Sequence, residues 1–174
     1  MTTLSATVPP SIIQDRDEQR RDLAADLKAL QPPTGGHATA SVALQRPAIL
    51  RRIADALAPG IPAGTDRLIA GAGTDSTLAA ALSLHTGIAF ALVDLPGQTV
   101  IGELHRSERT VLVSYETETS ENKVLEVLAS AGAQPAVALY VLGQEAGEQQ
   151  TSLTRLTLFG FAEISTTTKE SDND

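Results

Sequence analysis

Val111-Leu112-Val113-Ser114-Tyr115-Glu116-Thr117-Glu118-Thr119-Ser120-Glu121-Asn122-Lys123 is the stretch whose reading decides the fold. Its first three residues are apolar and mostly β-branched, which suits a strand covered on both faces. Ten residues, polar except for the Tyr115 ring, then separate this run from Val124, Leu125, Leu128 and Ala131, which recur at helical spacing. Thr119, Ser120 and Asn122 can cap such a helix. The stretch therefore reads as strand, polar loop and helix start. In that geometry backbone N–H groups and the positive end of the helix dipole face the loop, as they do in phosphate-binding loops.

The same alternation extends in both directions. Upstream, Arg67-Leu68-Ile69-Ala70 reads as a strand, Gly71 to Thr77 as a loop and Leu78 to His85 as an Ala-rich helix. Ile88 to Val93 and Thr99-Val100-Ile101 read as further strands. Downstream, Gly132 stops the helix, Pro135 to Leu142 is an apolar strand, and Leu156 to Ile164 alternates as a last strand. Nearer the start, Asp15 to Leu30 reads as a helix and Ala38 to Leu44 as a short strand. A second helix opens at Pro47 with the stripe Ile49, Leu50, Ile53 and Leu57. Strands alternating with helices predict an α/β fold with a mostly parallel sheet flanked by helices. One domain is expected over residues 15–164, with a flexible arm at 1–14 and a disordered acidic tail at 165–174.

Composition narrows the function. The 174 residues hold no cysteine, which excludes disulfides, thiol catalysis and cysteine-based zinc sites. The net charge of −8 argues against a nucleic-acid partner. No apolar run approaches the ~18 residues of a membrane span, so no membrane partner and a cytoplasmic location are expected. His37, His85 and His105 show no metal-ligand spacing, so no metal site is expected. In a parallel sheet, ligands sit at the carboxyl ends of the strands, where the loops 71–77 and 116–122 both fall. Gly71 and Gly73 let backbone approach a ligand, and Thr74, Ser76 and Thr77 offer hydroxyls; the same residues also suit a plain tight turn.

This arrangement resembles the type I phosphoribosyltransferases, and within them the orotate phosphoribosyltransferases, over roughly residues 20–164. The family's loop for the 5-phosphate of phosphoribosyl diphosphate follows an apolar strand and two acidic residues. Here Val111 to Ser114 stand for the strand and Tyr115-Glu116 for the acidic pair, Thr119-Ser120 match the hydroxyl pair, and Glu121-Asn122-Lys123 stand where Gly-Gly-Ser is usual. Gly71 to Thr77, with Thr74 and Asp75, is similar to the diphosphate loop and is followed by Leu78-Ala79-Ala80-Ala81-Leu82. The resemblance implies a ligand set of Gly71, Gly73, Thr74, Asp75, Ser76, Thr77, Glu116, Thr119, Ser120, Asn122 and Lys123. It also implies a homodimer.

Departures fall on the chemistry. Asp94-Leu95 stands where Arg-Lys is usual, and Leu95 to Thr99 has neither a base nor a cation. Glu116, Glu118 and Glu121 place three carboxylates in the phosphate loop, opposed by Lys123. A carboxylate at a helix N-terminus already satisfies the dipole and repels a phosphate there. The expectation is a phosphoribosyltransferase-fold protein that has lost the transferase reaction and acts as a ligand-binding or protein-interaction module. Its ligand would be a base, nucleotide or sugar phosphate, and no cofactor is assigned. One alternative is a divergent active transferase using Glu116, Thr119, Ser120 and magnesium. The other is a methyltransferase-like protein binding S-adenosylmethionine, which Gly71-Ala72-Gly73-Thr74 and Asp94 resemble.

Overall fold

The computed structural model describes residues 16–32, 36, 38–117, 121–144 and 153–165. Expectations for the arm at 1–14, the tail beyond Ser165 and the loop residues Glu118, Thr119 and Ser120 fall outside them. The chain runs α1 (Arg16–Ala29), α2 (Ala40–Leu44), α3 (Pro47–Leu57), a 3₁₀ turn (Ala58–Gly60), β1 (Arg67–Gly71), α4 (Asp75–Thr86) and β2 (Ala89–Asp94). It continues through β3 (Thr99–Ile101), β4 (Thr110–Glu116), α5 (Glu121–Ser130), β5 (Val137–Gly143), β6 (Thr154–Gly160) and α6 (Phe161–Ile164).

Six strands form one sheet in the order β3-β2-β1-β4-β5-β6. β1 pairs in parallel with β2 and β4, β4 with β5 and β5 with β6; β3 is antiparallel to β2. The mostly parallel α/β sheet read from the sequence is present. From β1 the chain crosses through α4 to β2 on one side, and from β4 it crosses through α5 to β5 on the other. Right-handed crossovers in opposite directions place the two helices on opposite faces. The adjacent strands β1 and β4 thus form the switch point of the sheet, and a crevice opens beyond their carboxyl ends.

Period-2 alternation sorts each strand's side chains between the faces. Val111, Val113 and Tyr115 pack with Leu23, Leu27, Ile53 and Leu82 of the α1, α3 and α4 layer. Leu112 packs with Val124, Leu128 and Tyr140 on the α5 face. Burying a Leu or Val side chain contributes roughly 1.5–3 kcal/mol, so these two clusters, built with few aromatics, carry the fold. Gly87 and Gly132 end α4 and α5 in the left-handed region, at φ +76° and +84°, as helix-stopping glycines do.

Three element assignments change. Ala38 to Leu44 is not a strand: Ala40–Leu44 is one helical turn, with Ala43 and Leu44 buried against the α1–α3 layer. The apolar run was too short for its period to separate strand from helix. The last strand ends at Gly160, and Phe161–Ile164 turn into α6, which packs on α1. α4 also begins at Asp75, earlier than Leu78.

Candidate functional site at the switch point

A cavity of about 470 Å³ lies beyond the carboxyl ends of β1 and β4. Gly71, Ala72 and Thr74 form one wall, Ser114 and Glu116 the next, and Glu121 with Tyr140 a third; Thr39 and Ser41, around the start of α2, close a further side. Val93, Leu112 and Val124 supply apolar surface. The structure therefore brings Gly71, Thr74, Asp75 and Glu116 together around one cavity. Gly73 sits beside them at φ +128°, a backbone conformation that favours glycine, and its carbonyl accepts the Ser76 hydroxyl. Gly73, Ser76 and Thr77 do not line the cavity, and Thr77 is exposed.

Asp75, the first residue of α4, reaches the end of β4. Its Oδ2 accepts the Ser114 hydroxyl at 2.7 Å and its Oδ1 accepts the Tyr115 backbone N–H at 3.0 Å. The Ser114 hydroxyl also lies 2.9 Å from the Glu116 carbonyl. Asp75 thus holds a negative charge at the positive end of α4 and fastens it to the end of β4.

Glu121 is the first residue of α5 and turns inward. Its carboxylate accepts the Tyr140 hydroxyl and the guanidinium of Arg155, with Arg155 Nε at 3.2 Å from Oε2. The Glu121 and Arg155 side chains are 11% and 18% exposed. Burial pushes the Glu121 carboxyl up, but the hydrogen bonds from Arg155 and Tyr140 reverse this and leave it below the usual carboxylate range. Burial, reinforced by the hydrogen bond to Glu121, pushes the Tyr140 phenol well above its ordinary value. Asn122 is exposed and does not line the cavity. Lys123 faces a different groove, shared with Gln98, Glu126 and Ser130.

Tyr115 and Glu116, the stand-ins for an acidic pair, point to opposite faces. Tyr115 is buried in the helical layer and its hydroxyl donates to the Ala38 carbonyl at 3.1 Å. Glu116 remains at the cavity. Sequence reading missed Tyr140 and Arg155. The signal available was one hydroxyl inside the apolar run Val137 to Gly143 and one cation in the alternating run Thr154 to Gly160. Neither indicated that both aim at Glu121.

No protein-family model matches the chain, and no curated protein matches it in sequence. Solved structures do match. The Leishmania donovani UMP synthase aligns with a TM-score of 0.65 at 16% identity over 82% of this chain and 36% of its own, so the chain spans about a third of that protein. The Mycobacterium tuberculosis H37Rv orotate phosphoribosyltransferase, solved with 5-phospho-alpha-D-ribosyl 1-diphosphate, aligns with a TM-score of 0.66 at 15% identity over 84% of this chain and 91% of its own. A Corynebacterium diphtheriae phosphoribosyltransferase aligns with a TM-score of 0.66 at 17% identity over 84% and 98%. The methyltransferase resemblance rests on residues 67–94, whereas this likeness runs through four-fifths of the chain. With its strand order, its crossovers and its switch-point cavity, the chain has the type I phosphoribosyltransferase fold.

Proposed function

We propose that this protein does not transfer phosphoribosyl groups and instead binds a small molecule that lacks a phosphate dianion in the switch-point cavity. The observation that carries this reading is the Glu121 carboxylate at the N-terminus of α5, turned inward onto Tyr140 and Arg155. By resemblance, that is where the 5-phosphate of phosphoribosyl diphosphate would lie. Asp75 holds a second carboxylate at the N-terminus of α4, in the loop similar to the diphosphate loop. Glu116 adds a third, and among the described residues that line the cavity there is neither Lys nor Arg. Each unit of like charge at ~4 Å costs about 4 kcal/mol at an effective dielectric of ~20. A ligand with several phosphate charges meets that cost repeatedly, whereas an uncharged base or nucleoside does not.

Isothermal titration of the full chain with phosphoribosyl diphosphate and magnesium tests this reading. No heat of binding is expected, together with thermal stabilisation by an uncharged base or nucleoside; micromolar binding of phosphoribosyl diphosphate overturns it. A divergent active transferase is the second reading. It is favoured by the meeting of Gly71, Thr74 and Glu116 at one cavity, where Glu116 would help hold a magnesium ion that would offset the charge of substrate phosphates. A homodimer belongs to both readings and is tested by sedimentation equilibrium.

A further inference from the structure

We propose that Arg155, Tyr140 and the N-terminus of α5 form an anion site that the chain's own Glu121 fills, and that without this carboxylate the site takes a phosphate dianion. The inference rests on the reading above, that the chain carries its own anion where a phosphate would lie, and assigns residues to the site. Two side chains converge on the Glu121 carboxylate. The Tyr140 hydroxyl, on a residue 1% exposed, donates to Oε2. Arg155 reaches across from β6 and engages both carboxylate oxygens, Oε2 through Nε and Oε1 through its other fork nitrogen. This two-pronged approach matches carboxylate and phosphate oxygens alike. The N-terminus of α5, a helix of 10 residues, adds its dipole.

The two donors and the anion come from three elements. Arg155 stands opposite Ala138 in the β5–β6 register, and Tyr140 lies two residues along β5 from Ala138, on the same face. Sheet pairing therefore sets the guanidinium and the hydroxyl, and α5 carries the anion to them. Glu121 is covalently tethered at the site, so a free phosphate has to displace it. That keeps phosphate out of the native chain.

The test compares inorganic phosphate binding to the full-length chain and to the near-isosteric Glu121→Gln variant, by calorimetry and by phosphate-dependent melting. Phosphate is expected to bind Glu121→Gln at least about tenfold more tightly than the unsubstituted chain. The gain is expected to disappear in the double variant Glu121→Gln, Arg155→Gln. Equal binding by the unsubstituted chain and Glu121→Gln overturns the proposal, as does a double variant that binds as well as the single one. If Glu121→Gln does not fold, Glu121→Ser removes the charge and keeps a capping hydroxyl at the start of α5. A phosphate-dependent rise in its melting temperature is expected, and no rise overturns the proposal. Binding of phosphoribosyl diphosphate by the unsubstituted chain would defeat the proposed function; the phosphate response of the variants decides this inference separately.

Discussion

Asp75 and Tyr115 lie forty positions apart in the chain, yet the Asp75 carboxylate accepts the Tyr115 backbone N–H at 3.0 Å. This contact ties the start of α4 to the end of β4 and holds the two sides of the switch-point cavity at a set distance. Asp75→Ala leaves the Tyr115 N–H without this acceptor and is expected to cost about 1–3 kcal/mol of stability. Asp75→Asn keeps an acceptor for that N–H and is expected to cost less. Urea denaturation of the two variants measures the difference.

Arg67 and Glu108 make a two-pronged ion pair at the start of β1, with both hydrogen bonds at 2.8 Å. The hydrogen bond from Arg67 lowers the Glu108 carboxyl from 4.5 to about 2, against burial, with help from the His105 backbone N–H. A carboxyl depressed on folding adds stability above its unfolded value, and that stability is lost as pH falls through the folded value. The unsubstituted chain should therefore lose stability between pH ~4.5 and ~2. Glu108→Gln should be less stable at pH 7 and show a flatter fall over that window, as read by denaturation at each pH.

Both tyrosines of the chain, Tyr115 and Tyr140, are buried. Burial raises each phenol, with Glu116 adding to the effect at Tyr115 and Glu121 at Tyr140. A phenol raised on folding stabilises below its unfolded value of ~10, and the contribution is lost as pH rises toward the folded value. Absorbance at the phenolate band should show no titration near pH 10 in the folded protein. It should instead rise together with unfolding at higher pH, whereas a normal titration near 10 would show that the phenols are accessible.

Tyr115→Phe removes the hydroxyl that donates to the Ala38 carbonyl at 3.1 Å. The ring packing stays, so the expected loss is about 0.5–1.5 kcal/mol. Faster amide exchange around α2 should accompany it. Unchanged exchange there would show that this bond does not fasten α2 to β4.

Gly143 closes β5 where a Cβ would stand 2.8 Å from the Thr117 methyl and 3.1 Å from the Thr157 side chain. Both neighbours are β-branched and stiff about χ1. Gly143→Ala is expected to destabilise by about 1–3 kcal/mol through overpacking. Adding Thr117→Ser, which removes the nearest methyl, should recover part of the loss in a double-mutant cycle.

By itself, the sequence determined the elements and their class. Apolar runs at 68–70, 111–113 and 137–142 could bury themselves on two faces inside a parallel sheet, and Gly132 supplied backbone freedom where a helix must stop. These are local signals, because periodicity and backbone freedom act over a few residues. They also placed Gly71, Thr74 and Glu116 at one end of the sheet. What Glu121 does was decided by tertiary structure. Its charge was legible, but its direction depends on Arg155, thirty-four positions away, and on a hydroxyl in β5. The split of Tyr115 from Glu116 follows strand alternation, but the partner of Tyr115 was set by α2, whose short apolar run read as a strand. Strand pairing brings such groups together across the sheet, and no local pattern specifies that meeting. The phosphoribosyltransferase frame was therefore legible in sequence, whereas the carboxylate that occupies it became visible once β4, β5 and β6 were aligned.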